Sequence, residues 1–237
     1  MNIYQPLEEV IPVVVQGTLL TGFLLVVGGV LLRRRIAATN GGLVPDEGFS
    51  LRNIFEVLVE LIADLAKDRI GPEWRKYFPI VGTMFLFILV ANLLGLVPGV
   101  GGPTVDANTT WAWAVIAWLV YTAVGIMKHK HVYLVKFMGP SFKTVEIGGR
   151  KVHIRALMPL FLLLELPLDL ARIFTLAVRL LANMFADHTV ILVMLSLAPI
   201  GVPAIFMGLG LIISFLQAFI FTLLTMIYIG LALDEPH

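Results

Sequence analysis

The sequence predicts an all-α integral membrane protein with five spanning helices, and three observations carry that prediction. Apolar side chains make up 59% of the 237 residues and charged ones only 14%, far from the balance of a soluble domain. Long apolar runs fall near 11–32, 79–97, 111–127, 156–198 and 200–233. Fifteen of the 17 basic residues lie in just two of the segments between those runs. The whole chain, 1–237, is expected to form one membrane domain. Cysteine is absent, which excludes disulfides, thiol nucleophiles and thiolate metal sites.

The first run follows "MNIYQPLEEVIPVVV", which lacks the basic region of a cleavable signal, so a retained span is expected. The first three runs are close to the ~20 residues a helix needs to cross roughly 30 Å of hydrocarbon. Arg33, Arg34, Arg35, Arg52, Lys67, Arg69, Arg75 and Lys76 separate the first run from the second. Lys128, Lys130, Lys136, Lys143, Arg150, Lys151 and Arg155 separate the third from the fourth. The N-terminal decapeptide and "PGVGGPTVDANTT" at 98–110 contain no basic residue. By the positive-inside rule these two segments are outside, and the basic loops and the C-terminal "LDEPH" are cytoplasmic.

Within the first basic loop, about 50–70, the apolar residues Ile54, Phe55, Leu58, Leu61, Ile62 and Leu65 recur at helical spacing between acids and bases, an amphipathic pattern. Two readings stand: an interfacial helix that docks on a partner or on headgroups, or a helix covered by the rest of the chain. In the second basic loop "KHKH" at 128–131 and His153 have no acids nearby to complete a metal site. Juxtamembrane positive charge explains them better than metal or nucleic-acid binding. The glycine pairs at 101–102 and 148–149 are read as turn chemistry. Neither a Gly-rich phosphate loop nor a Ser/His/Asp pattern is present, so this chain does no nucleotide chemistry, and no metal or other cofactor is expected.

The fourth run contains the remaining basic residues, Arg172 and Arg179, with Glu165, Asp169, Asp187 and His188. Ionisable residues inside a span are costly and point to function. At ~100° per residue, with Arg179 at zero, Arg172 lies near 20°, Glu165 and Asn183 near 40°, and Asp169 and Asp187 near 80°. Ala182 and Ala186 flank that strip, where small side chains let another helix come close, and His188 points to the opposite side. Asp169 and Arg172 are i,i+3 and are expected to pair. Arg179 has no carboxylate three or four residues away, and its guanidinium does not give up its proton. Its acid must come from another helix or another protein.

In the last run Gly210, Ser214, Gln217, Phe221, Thr225 and Tyr228 share one helical face, either as interhelical hydrogen-bonding glue or as the wall of a hydrated path. The stretch from Pro167 to Ala198 would be about 48 Å long as a helix, more than a perpendicular span needs. "RIFTLAVR" offers no turn residue, so one strongly tilted helix is expected rather than a hairpin.

"LAVRLLANMFADH" followed by "LIISFLQAFIFTLLTMIYIGLAL", with "LLLELPLDLARIFTLAVR" upstream and "ANLLGLVPG" in the second run, resembles subunit a of the F-type rotary ATP synthase. The resemblance implies a stator of the membrane sector, with two long, steeply tilted final helices against a rotating c-ring and two aqueous half-channels for protons. It implies that Arg179 faces the ring carboxylates, with Asn183 beside it, Gln217 opposite and Glu165 at an acidic position of the family. The implied partners are the c-ring, peripheral-stalk subunit b, the other ATP synthase subunits and the lipid bilayer. H+ is expected as the translocated ion over Na+, and an energy-transducing membrane, the bacterial inner membrane, as the location.

The family pattern is broken at one pair of positions. Many bacterial members carry glutamate nine residues after the arginine and histidine seven residues before the glutamine, whereas His188 and Gly210 stand here. Asp187 and His188 are expected to serve the inlet, with water beside Gly210 and Ser214 on the polar face. The alternative reading is a secondary transporter or ion channel whose Arg179 binds an anionic substrate.

Overall fold

The computed structural model describes residues 12–38, 50–97, 99–100, 102–129, 143–147, 150–154, 158–197 and 201–234. Its helices are α1 (Val13–Ala38), α2 (Leu51–Ile70), α3 (Trp74–Gly95), α4 (Ala107–His129), α5 (Met158–Leu197) and α6 (Val202–Leu233). Among the described residues five helical segments are long and apolar enough to cross a membrane, α2 and α3 counting as one. The helical membrane fold expected from the sequence forms, with one short β-hairpin added between α4 and α5. Lys130, His131 and Lys136 of the second basic loop, and residues 235–237, lie outside the described residues.

Helix α2 begins where the Ser50 hydroxyl accepts a hydrogen bond from the Arg52 amide, satisfying one of the free donors at a helix start. It ends at Gly71, whose φ of 78° is a backbone state that a side chain disfavours. A 3₁₀ turn, Gly71–Glu73, leads directly into α3. One face of α2 is covered by the rest of the chain and another is open. Ile62, Ala66 and Ile70 are buried in the core, whereas Ile54, Val57 and Leu61 are exposed.

The core lies where α3, α4, α5 and α6 meet, built from Val81, Met84, Phe85, Ile88, Ala114, Tyr121, Leu180, Phe221 and Ile229 among others. Helix α1 packs on α3 and leaves Leu19, Phe23 and Val26 exposed, as a peripheral span does. The segment after α3 folds back tightly: a β-carbon on Gly102 would lie 2.5 Å from Gly95 Cα. Asp106 then starts α4, its carboxylate accepting from the Asn108 amide at 2.7 Å.

Between α4 and α5, strands β1 (Lys143–Ile147) and β2 (Arg150–Ile154) pair antiparallel with Val145 opposite Val152. The sequence reading assigned only a turn there. The readable signal was the alternation of Val145 and Ile147, and of Val152 and Ile154, about a Gly-Gly pair, which favours a two-residue hairpin.

Helix α5 is one 40-residue helix with Pro167 inside it, as expected from the lack of turn residues. α6 follows Gly201, whose φ is 89°, and has Pro in its first turn, where a missing N–H is harmless. The two helices pack against each other. α6 also meets α2 closely, since a β-carbon on Gly230 would lie 2.3 Å from the Arg69 carbonyl oxygen.

Candidate functional site at the junction of three helices

The polar strip read around α5 divides into a buried side and an open side. Leu176, Ala177, Leu180, Met184 and Ile191 are buried, and Ala171, Thr175, Val178, Ala182, Phe185 and Ala186 are exposed. Arg179 is half-buried on the border between them. Among the described residues it makes no ion pair; the Glu165 side chain lies outside them. An arginine buries its stem readily while its charge seeks a polar neighbour.

One turn on, Asn183 crosses to α6. Its Nδ2 donates to the Gln217 Oε1 at 2.8 Å. Gln217 is 2% exposed and Ser214 fully buried, as are Phe221 and Thr225, and Gly210 is buried too. The face predicted for the last helix therefore turns inward. Its members bond differently: Thr225 bonds back to the Phe221 carbonyl at 2.9 Å, but the Ser214 hydroxyl and Gln217 Nε2 have no partner among the described residues. Buried polar atoms of that kind are uncommon and call for water or an ion.

The second cation of the strip is neutralised within the chain. Arg172 Nη1 donates to Asp169 Oδ1 at 2.8 Å, as the i,i+3 spacing predicted. Its guanidinium lies 5.2 Å from the centre of the Tyr228 ring, a cation–π contact. Tyr228 in turn meets Tyr121, 5.4 Å between ring centres, so this cluster ties α5 to α6 and α4.

Asp187 and His188 are half-buried on α5, and Asp187 Oδ2 is a buried oxygen without a partner among the described residues. The space expected beside Gly210 is filled. A β-carbon there would lie 2.6 Å from Cδ2 of Leu96, the residue that follows α3, so an apolar side chain occupies the place next to residue 210. One polar residue of the junction went unread: Asn92 on α3, fully buried, donates from Nδ2 to the Ser214 carbonyl at 3.4 Å. A lone amide inside an apolar span was the available signal.

Comparison with known proteins bears on this arrangement. A family model described as "ATP synthase A chain" matches residues 17–230. The chain is 38% identical over 210 residues to "ATP synthase subunit a" of Bdellovibrio bacteriovorus, covering 88% of this chain and 86% of that protein. It is 40% identical over 187 residues to "ATP synthase subunit a" of Geobacter sulfurreducens, covering 79% and 76%. It is 35% identical over 202 residues to the protein so named in a Sulfurihydrogenibium species, covering 85% and 90%.

Proposed function

The chain belongs to the ATP synthase subunit a family, as a multi-pass membrane component of that complex, and from this premise we propose that it is the proton-translocating stator, with Arg179 facing the carboxylates of the rotating c-ring. The observation that carries this reading is Arg179 itself: a permanent cation, half-buried, without an acid partner among the described residues, at the edge of an open face. Ala171, Thr175, Ala182 and Ala186 on that face are small enough for a ring helix to approach closely.

The physics of such a contact is simple. A carboxylate about 4 Å from the guanidinium gains about 4 kcal/mol at an effective dielectric of about 20, which favours the ionised acid roughly a thousandfold. A ring carboxyl that arrives protonated from the bilayer must therefore release its proton near Arg179. The same fixed charge repels a proton that would pass directly between the two half-channels. Asn183, held by Gln217, gives the arginine a polar neighbour that carries no competing charge. The inlet half-channel runs past Asp187 and His188, Glu165 contributes a further acid, and Ser214 and Gln217 line the polar wall of α6.

In this reading the N-terminus is outside and the C-terminus cytoplasmic, with both basic loops inside. The membrane is the bacterial inner membrane, and the partners are the c-ring, the peripheral-stalk subunit b and the other ATP synthase subunits. Arg179→Ala tests it in inverted membrane vesicles. ATP synthesis and ATP-driven acidification are expected to be lost while the complex still assembles; coupled synthesis at the normal rate would overturn the proposal.

A further inference from the structure

Asn92 is the one buried amide of α3, and nothing in its own helix explains it. Its Nδ2 reaches across to the backbone carbonyl of Ser214, while its Oδ1 is buried and has no partner among the described residues. On α6 the Ser214 hydroxyl and Gln217 Nε2 are likewise buried without partners among the described residues. Ser214 and Gln217 are i,i+3 and so share a face at about 5–6 Å, the face to which Asn92 is tied. Buried groups left unbonded are uncommon, so three at one junction point to a shared partner.

Their chemistries are complementary. Asn92 offers an acceptor, Gln217 a donor and Ser214 a hydroxyl that does either. A buried water makes about three hydrogen bonds, usually to such groups. Back-bonding within the helix does not serve Ser214 as it serves Thr225 and Thr21.

We propose that Asn92 is a positioning residue for the Arg179 site: it anchors α6 at Ser214 and shares a buried water with the Ser214 hydroxyl and the Gln217 amide, fixing Gln217 where it accepts from Asn183. The inference rests on the reading of Arg179 as the cation that faces the ring. Asn92 touches no reacting group in it. It acts on Gln217 through the shared water, and Gln217 in turn holds Asn183 by a direct hydrogen bond.

The test is ATP-driven proton pumping by the assembled complex in inverted vesicles, normalised to the amount assembled. Asn92→Ala is expected to lower the rate about tenfold, since a small misplacement of a functional group is enough for such a loss. In a Gln217→Ala background the same change is expected to add less than about a twofold loss, because residues acting through one network are not additive. Full independent losses in the two backgrounds, or an Asn92→Ala rate equal to that of the parent, would overturn the inference.

Two further variants cover failure of Asn92→Ala to assemble. Asn92→Ser keeps a small donor and Asn92→Leu keeps the volume without polarity, so the serine variant is expected to pump faster, and the reverse order overturns the proposal. Arg179→Ala, measured alongside, separates the two ideas. If it abolishes coupling while the Asn92 variants behave as packing changes, only the role of Asn92 falls; if it leaves coupling intact, the stator reading falls first.

Discussion

Gly230→Ala offers a direct test of how α2 is seated on α6. In a helix the exchange of glycine for alanine is favourable by about 0.8–1 kcal/mol when nothing obstructs the methyl group. At Gly230 something does. The added carbon would lie 2.3 Å from the Arg69 carbonyl oxygen, whereas such a carbon and oxygen rest comfortably at about 3.3 Å. The obstacle is backbone, so the two helices must part by about 1 Å, and overpacking of this kind costs about 1–3 kcal/mol. Gly208, on the same helix, meets nothing within 4 Å of its β-carbon position and supplies the control. Both variants gain the same helix preference, so their difference isolates the overlap. Thermal unfolding of the purified chain in detergent is the assay, at roughly 2–4 °C per kcal/mol for a chain of this size. Gly208→Ala is expected to melt higher than the parent and Gly230→Ala lower. Equal melting temperatures, or a Gly230→Ala protein more stable than Gly208→Ala, would refute the close α2–α6 crossing.

Two more predictions concern charged groups on α5. Asp169→Asn leaves Arg172 without its carboxylate and is expected to cost about 1.5–3 kcal/mol, typical of a hydrogen bond between charged groups, measured as a lower melting temperature; adding Arg172→Gln is expected to recover part of the loss. Asp187→Asn and His188→Ala are each expected to slow proton flow in the assembled complex, followed by the decay of a pH gradient across vesicles, and unchanged rates in both variants at every pH would make these residues packing elements.

The sequence made some parts of this molecule readable and hid others for physical reasons. Arg179, Asn183 and Gln217 could be found because polar residues within apolar runs are conspicuous and helical periodicity assigns them faces. The Asp169–Arg172 pair is local, three residues apart, and follows from helix geometry alone. Asn92 was missed because its partner is a main-chain carbonyl 122 residues away, and every residue has one. Gly210 misled for a related reason: an absent side chain says nothing about what replaces it, and only the crossing of α3 and α6 brings Leu96 there. For α2 the apolar spacing gave two faces without saying which would be covered; Gly230 decided that by letting α6 come near.

The bond between Asn183 and Gln217 joins positions 34 apart, on consecutive helices with Gly201 at the turn. Its consequence lies in biosynthesis. Released alone into hydrocarbon, α6 would carry the Gln217 amide into lipid with no partner, at a cost of several kcal/mol. Serine and threonine can bond back to their own helix there, but a glutamine amide has more donors and acceptors to satisfy. Entering as the second leg of a hairpin, α6 would meet Asn183 on arrival. A hairpin of the last two helices is therefore expected to enter more readily than α6 alone, because it brings the Gln217 amide its partner Asn183.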